Sequence, residues 1–189
     1  MSSPKTAKTL LNAEEIGKAL KRMAFEIQEQ FPDKDNLALI GIQRRGVDLA
    51  GRLRDMLAGQ GYRSPQIGEL DINMYRDDWT NLSSAPRIGD TNIPFDVNDR
   101  HVILVDDVLY TGRTIRAALE AILDFGRPAK IALAVLVDRG HRELPIHADF
   151  TGKKISTSRD EQIDVLTRET EGKDQVSLSR REAECSSEK

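Results

Sequence analysis

The sequence predicts an α/β fold: a mostly parallel central sheet with helices on both faces, plus a small hood. Three observations carry this prediction. LALIGI (37–42), HVILV (101–105) and IALAVLV (131–137) are unbroken apolar runs of strand length, the pattern of strands covered on both faces. Stretches with an apolar period near 3.6 residues lie between them, as layered α/β folds require. At 189 residues and 39% hydrophobic content, the chain has enough apolar mass for one sizeable core.

The elements follow in order. Asn12 and Glu15 form a capping-box pattern, so a helix is expected over about 13–31, with Ile16, Leu20, Met23, Ile27 and Phe31 as its apolar stripe. Pro32 closes it, and the run 37–42 supplies a strand that breaks at Gln43-Arg44-Arg45-Gly46. A second helix places Val47, Ala50, Leu53 and Leu57 inward and stops at Gly59 and Gly61. Residues 67–75 alternate through Leu70, Ile72 and Met74 like a half-buried strand. Residues 76–100 are polar and aperiodic, and a loop of this length in a compact domain is more often functional than idle. After 101–105, a third helix carries Ile115, Ala118, Leu119 and Ile122 and ends at Gly126, with Pro128 beyond. The strand 131–137 and short strands near 163–166 and 176–178 complete a single domain over 1–178, with the hood near 138–178. The charged segment 179–189 is expected to be a disordered tail.

Composition excludes several classes. No run approaches the roughly 20 apolar residues of a membrane-spanning helix, and the N-terminus lacks the apolar core of a signal peptide. A cytoplasmic protein without a membrane partner is expected. Cys185 is the only cysteine, so neither a disulfide framework nor a cysteine zinc site is possible within the chain. Only three histidines are present (101, 141, 147), so no histidine-rich metal centre is expected, and a net charge of −3 leaves nucleic-acid binding to a local basic face.

The segment VILVDDVLYTGRT (102–114) carries the chemistry. An apolar strand delivers Asp106 and Asp107 to the carboxyl edge of the sheet, where open α/β sheets bind ligands. Tyr110, Thr111, Gly112, Arg113 and Thr114 then turn into a helix N-terminus, whose free N–H groups and dipole favour phosphate. Two carboxylates beside a phosphate cradle suit ribose hydroxyls, or Mg²⁺ brought by a polyphosphate. Arg44 and Arg45 end a neighbouring strand, and arginine forks are natural receptors for pyrophosphate. A Walker-type GxxxxGK loop is absent from the sequence.

Four apolar residues, two acids and a TGxT turn resemble the type I phosphoribosyltransferases. GELDINMYRDDW (68–79), residues 102–128 and LAVLVDRGHRELPIHAD (133–149) further resemble the PyrR family, bifunctional pyrimidine operon regulators and uracil phosphoribosyltransferases. The resemblance runs from about Leu11 to Leu178. It implies transfer of phosphoribose from 5-phosphoribosyl 1-diphosphate (PRPP) to uracil, giving UMP and pyrophosphate with Mg²⁺ as cofactor. Asp106 and Asp107 would then hold the ribose hydroxyls and the Mg²⁺ shell, Tyr110–Thr114 the 5-phosphate, and Arg44 and Arg45 the pyrophosphate. Asp138, Arg139, His141, Arg142 and a backbone group near Val165 would form the hood over uracil, with Arg142 among the catalytic set. His141 would orient substrate, with a role as general base the alternative. Tyr75, Arg76, Asp77 and Asp78 would begin a loop closing on the substrate, with Arg87 a further phosphate contact.

The resemblance also implies a homodimer or larger homo-oligomer that binds a hairpin of pyrimidine-leader mRNA when UMP is abundant, promoting termination. Lys18, Lys21 and Arg22 project from the first helix opposite its apolar stripe and are the candidate RNA contacts. Phe25, Gln30 and His147 stand where the family carries basic residues. The alternative is therefore a uracil salvage enzyme with little RNA-binding role.

Overall fold

The computed structural model describes residues 8–63, 65–73 and 91–180. Five strands form one all-parallel sheet in the order β3-β2-β4-β5-β6: β2 (Leu37–Ile42), β3 (Gln66–Leu70), β4 (His101–Leu109), β5 (Lys130–Asp138) and β6 (Phe150–Lys154). Alternate residues of each strand feed different cores, as the two-residue period dictates. Leu37, Leu39, Ile103, Val105, Ala132 and Ala134 join one cluster with α1 (Ala13–Gln30) and α2 (Arg45–Gly59). Ile40, Ile42, Val102, Leu104, Leu133 and Val135 join the other, with α3 (Arg113–Leu123). The sheet is thus covered on both faces, as its apolar runs demand.

The capping box forms as expected: Glu15 N donates to Asn12 Oδ1 and Asn12 N to Glu15 Oε2, each at 2.9 Å. Ile16, Leu20, Met23 and Ile27 are buried along α1, and Phe31 caps it. In α2, Val47 is only partly buried, and Leu49 takes the expected inward place beside Ala50, Leu53 and Leu57.

A second sheet, β1-β8-β7, is antiparallel and builds the hood: β1 (Lys8–Asn12), β8 (Gln175–Arg180) and β7 (Glu161–Leu166). A short helix, α4 (Arg168–Glu171), joins β7 to β8. The hood therefore uses both ends of the chain, not only the region near 138–178, and β8 runs two residues past the expected boundary at 178. Two strands have no counterpart in the sequence reading, β1 and β6. Strand β3 ends at Leu70, short of the expected 75, and β4 continues past Val105 to Leu109. No helix of the described residues is long and apolar enough to cross a membrane.

Candidate active site

Strand order places the site. From β2 the chain moves outward to β3 and returns on the other side of β2 to form β4. The turns leaving β2 and β4 therefore diverge at a switch point, the crevice where parallel sheets take ligands. The first turn is residues 43–46, which includes a cis Gln43–Arg44 peptide; the second is residues 110–114. The first turn presses on β4: a Cβ on Gly46 would lie 2.5 Å from the Val105 carbonyl oxygen, so only glycine fits there.

Because β4 runs on to Leu109, Asp106 and Asp107 are strand residues rather than loop residues. Asp106 is buried, at 7% exposure, and its Oδ1 accepts the Asp107 N–H at 2.9 Å. Burial pushes its carboxyl well above the ordinary range, and the neighbouring Asp107 charge adds to the rise. Asp107 is also raised by burial, and Arg45, with Nη1 3.7 Å from Asp107 Oδ2, acts in the opposite sense. Two confined acids with one nearby cation lack positive charge, which fits a divalent cation or a polyhydroxyl ligand. Among the described residues no group of three or more acidic, histidine or cysteine side chains gathers around a metal position. A cation here would draw its remaining oxygens from water and a phosphorylated substrate, as Mg²⁺ commonly does.

The second turn is a phosphate cradle in form. Gly112 caps α3 at φ 93°, a left-handed conformation glycine adopts without cost, and has no side-chain cap. The first-turn N–H groups of α3 thus lack a side-chain acceptor from the cap residue, apart from Arg113 N, which donates to Thr111 Oγ1 at 3.3 Å. Glu143 N and Leu144 N donate to the Thr111 carbonyl at 3.0 and 3.2 Å, tying the turn to the segment after β5. The Arg113 side chain pairs with Glu143, Nε to Oε2 at 2.7 Å.

The expected base-binding residues converge above this turn. The Arg139 guanidinium lies 4.1 Å from the Tyr110 ring centroid, and its Nη2 donates to the Glu161 carbonyl at 2.6 Å and the Ser158 carbonyl at 3.2 Å. His141 meets the Tyr110 ring edge to face at 6.1 Å. Its Nε2 lies 2.6 Å from the Thr157 carbonyl oxygen, so that nitrogen donates and carries the proton. Val165 has a buried side chain on β7, an edge strand of the hood sheet among the described residues.

Arg142 stands between the end of β4 and the segment after β5. Its Nη1 donates to the carbonyls of Tyr110 (2.7 Å), Gly140 (3.0 Å) and Leu109 (3.3 Å), its Nε to that of Ile146 (3.0 Å), and its Nη2 pairs with Asp138 Oδ1 at 2.6 Å. Every guanidinium nitrogen is engaged within the protein, so Arg142 ties the end of β4 and the segment 140–146 to Asp138. Arg44 is exposed at the mouth, whereas Arg45 is drawn toward the hood, Nε 3.0 Å from Glu171 Oε1. Arg76 and Arg87, with Tyr75, Asp77 and Asp78, lie outside the described residues.

The sequence reading missed the polar seam between α2 and α4. Asp48 accepts hydrogen bonds from the hydroxyls of Thr167 and, at 2.7 Å, Thr170; Arg52 pairs with Asp174 at 2.6 Å and with Glu169. Arg45, Asp48 and Arg52 follow one another by three and four residues, a polar stripe on α2 visible in the sequence without its partners. On α1, Arg22 does not project freely: its Nη2 donates to the Gly152 and Thr151 carbonyls of β6 at 2.6 and 3.0 Å. Lys18 pairs with Glu14 at 2.6 Å, Lys21 is exposed, and Phe25 is 51% exposed.

Fold and site together define the class of the phosphoribosyl transferase domain, whose family profile matches residues 6–169. The hypoxanthine phosphoribosyltransferase of Trypanosoma cruzi superposes with a TM-score of 0.70, covering 93% of this chain and 97% of its own at 20% identity. An HGPRT-ase from Leishmania tarentolae gives 0.72 with 96% and 100% coverage at 18% identity. Such likeness shows the fold alone. Curated relatives are much nearer: the bifunctional protein PyrR of Syntrophobacter fumaroxidans is 51% identical over 90% of this chain and 91% of its own length. That of Deinococcus radiodurans is 52% identical over 94% and 96%. The chain belongs to the PyrR family.

Proposed function

We propose that this chain transfers the phosphoribosyl group of PRPP to uracil, yielding UMP and pyrophosphate, and that it regulates pyrimidine genes by binding leader mRNA when UMP is present. The observation that carries the catalytic reading is the meeting of the buried acid pair, the 110–114 turn and Arg45 at one switch point. PRPP presents two hydroxyls, a 5-phosphate and a diphosphate, and these three features match them in turn. Asp106 and Asp107 accept from the ribose hydroxyls and would hold the Mg²⁺ that accompanies the substrate. The N–H groups of residues 111–114 take the 5-phosphate, and Arg44 and Arg45 the diphosphate. Mg²⁺, when bound with PRPP, neutralises the leaving diphosphate. Breaking the C1–O bond leaves an oxocarbenium-like ribose, so the protein's work is positioning, charge stabilisation and exclusion of water. Tyr110, Arg139 and His141 orient the base, with the outer edge of β7 near Val165 reading its polar rim. Arg142 sets the geometry of these groups, and Arg76 and Arg87 contribute from the closing loop.

The test is product analysis with PRPP, Mg²⁺ and either uracil or hypoxanthine. UMP and pyrophosphate in equal amounts from uracil are expected; turnover of hypoxanthine alone overturns the assignment. The regulatory reading is supported by the relatives' description as bifunctional and by the exposed Lys21 and Phe25 on α1, beside which β6 exposes Lys153 and Lys154. Lys18 and Lys21 supply phosphate contacts, and Arg22 joins them only on leaving the β6 carbonyls. Filter binding of a pyrimidine-leader hairpin tests this: tight, UMP-enhanced, salt-sensitive binding is expected, and no specific binding leaves a uracil salvage enzyme. Exposed Leu123 and Phe125 support assembly into a homodimer or larger oligomer. Uracil and PRPP being cytoplasmic metabolites, the same reading puts the chain in the cytoplasm.

A further inference from the structure

We infer that Glu171, on the hood helix α4, is a positioning residue for the diphosphate, holding one edge of the Arg45 guanidinium so that the other faces the site. The inference rests on the active-site reading above and assigns the hood a part in binding phosphate as well as the base. Arg45 presents Nε and Nη2 to Glu171 Oε1, both at 3.0 Å. Its remaining nitrogen, Nη1, stands 3.7 Å from Asp107 Oδ2, beyond hydrogen-bond reach, so its donors face the acid pair without being consumed by it. Glu171 is itself fixed, since its Oε2 accepts the Thr167 N–H at 2.8 Å, and Thr167 is buried and donates through its hydroxyl to Asp48. The chain of contacts runs from α2 through the hood and back to the first residue of α2. Thr167 lies only two residues beyond Val165, so the segment that faces the base also anchors the cation that faces the diphosphate.

An unanchored arginine must be ordered when the anion arrives, and that cost weakens binding. The guanidinium fork is useful to a diphosphate only in a fixed plane, and the Glu171 carboxylate supplies that plane. The opposing effect is repulsion: a carboxylate near the site disfavours an incoming anion. The two effects have opposite signs on removal of Glu171, so one experiment separates them.

The experiment is calorimetric titration of Mg²⁺-pyrophosphate into the full chain and into E171A, E171Q and T170A, paired with steady-state kinetics. E171A should bind pyrophosphate about tenfold more weakly, and E171Q, which keeps an acceptor oxygen for Nε, should fall between it and the native chain. The KM for PRPP in E171A should rise about tenfold against a kcat change under about threefold, the signature of lost binding rather than lost chemistry. T170A removes a hood tether to Asp48 without touching Arg45, and should bind pyrophosphate within about twofold of the native chain. Unchanged or tighter binding in E171A and E171Q overturns the inference, as does an equal loss in T170A, which would mean that hood stability alone is responsible. A native chain that binds no pyrophosphate overturns the active-site reading itself, and this inference with it.

Discussion

Asp106 keeps a carboxyl group in a place that disfavours its charge, and this has a measurable sign. Its folded pKa is raised by burial and by Asp107, so the folded chain holds a proton that the unfolded chain releases. Its stability contribution is present below the ordinary value of 3.8 and is lost as pH rises toward the folded value. D106N keeps an oxygen for the Asp107 N–H and removes the ionisation. It should therefore melt higher than the native chain at pH 8, by roughly 2–4 °C for about 1 kcal/mol, with the gap shrinking toward pH 4. Scanning calorimetry at the two pH values checks this, and an equal or lower melting point at pH 8 would show that the pair is not strained. D107N should fold normally while kcat/KM for UMP formation falls by about a hundredfold or more, read by product assay. The acid pair was legible in the sequence because its run of apolar neighbours fixes it to the end of a strand. Its burial was not, because that depends on β4 continuing to Leu109 under α2.

Elements with a strong period were read closely, and those without one were missed. The α1 stripe and capping box predicted a helix that differs at its end by one residue, and Asn12→Ala should cost about 1 kcal/mol in urea denaturation by exposing first-turn donors. Strands β1 and β6 bury one residue each, Leu11 and Phe150, among exposed or partly exposed neighbours, so neither shows an alternation to detect. They exist because larger neighbours pair with them: β8 with β1, β5 with β6. Arg142 is another element-scale feature, since what it joins (the end of β4, Asp138 on β5 and the segment 140–146) is distant in sequence or lacks a pattern. Its pair with Asp138 is largely buried, the two side chains being 16% and 17% exposed. R142M should lose about 3 kcal/mol of stability through the uncompensated Asp138 and carbonyls, and its activity should fall further than its folded fraction. Activity tracking the folded fraction alone would limit Arg142 to a structural role.

At the scale of the molecule, the antiparallel hood is latched onto the parallel sheet by charge, through Arg45 and Arg52 of α2 and Glu169, Glu171 and Asp174. Arg52 lowers Glu169 chiefly through its hydrogen bond; in Asp174 and Glu171, burial opposes ionisation but the bonds from Arg52, Arg168 N, Thr167 N and Arg45 outweigh it. These carboxylates are lowered, so their contribution is full above their ordinary values of 4.5 and 3.8 and is lost as pH falls below them. Acid should therefore loosen the hood, and R52A should melt lower than the native chain at pH 7, with the gap closing as pH falls below 3.8. The resemblance of motifs reached the family, yet the latch joins residues 45–52 to 167–174, a pairing only the folded chain reveals. In the proposed function, PRPP lies across the switch point, between the acid pair and the 110–114 turn. The most direct test of this placement is calorimetric titration of PRPP with Mg²⁺ into the native chain and D107N. One PRPP per chain, bound at least about tenfold more weakly by D107N, is the predicted result; equal affinity in the two proteins would contradict it.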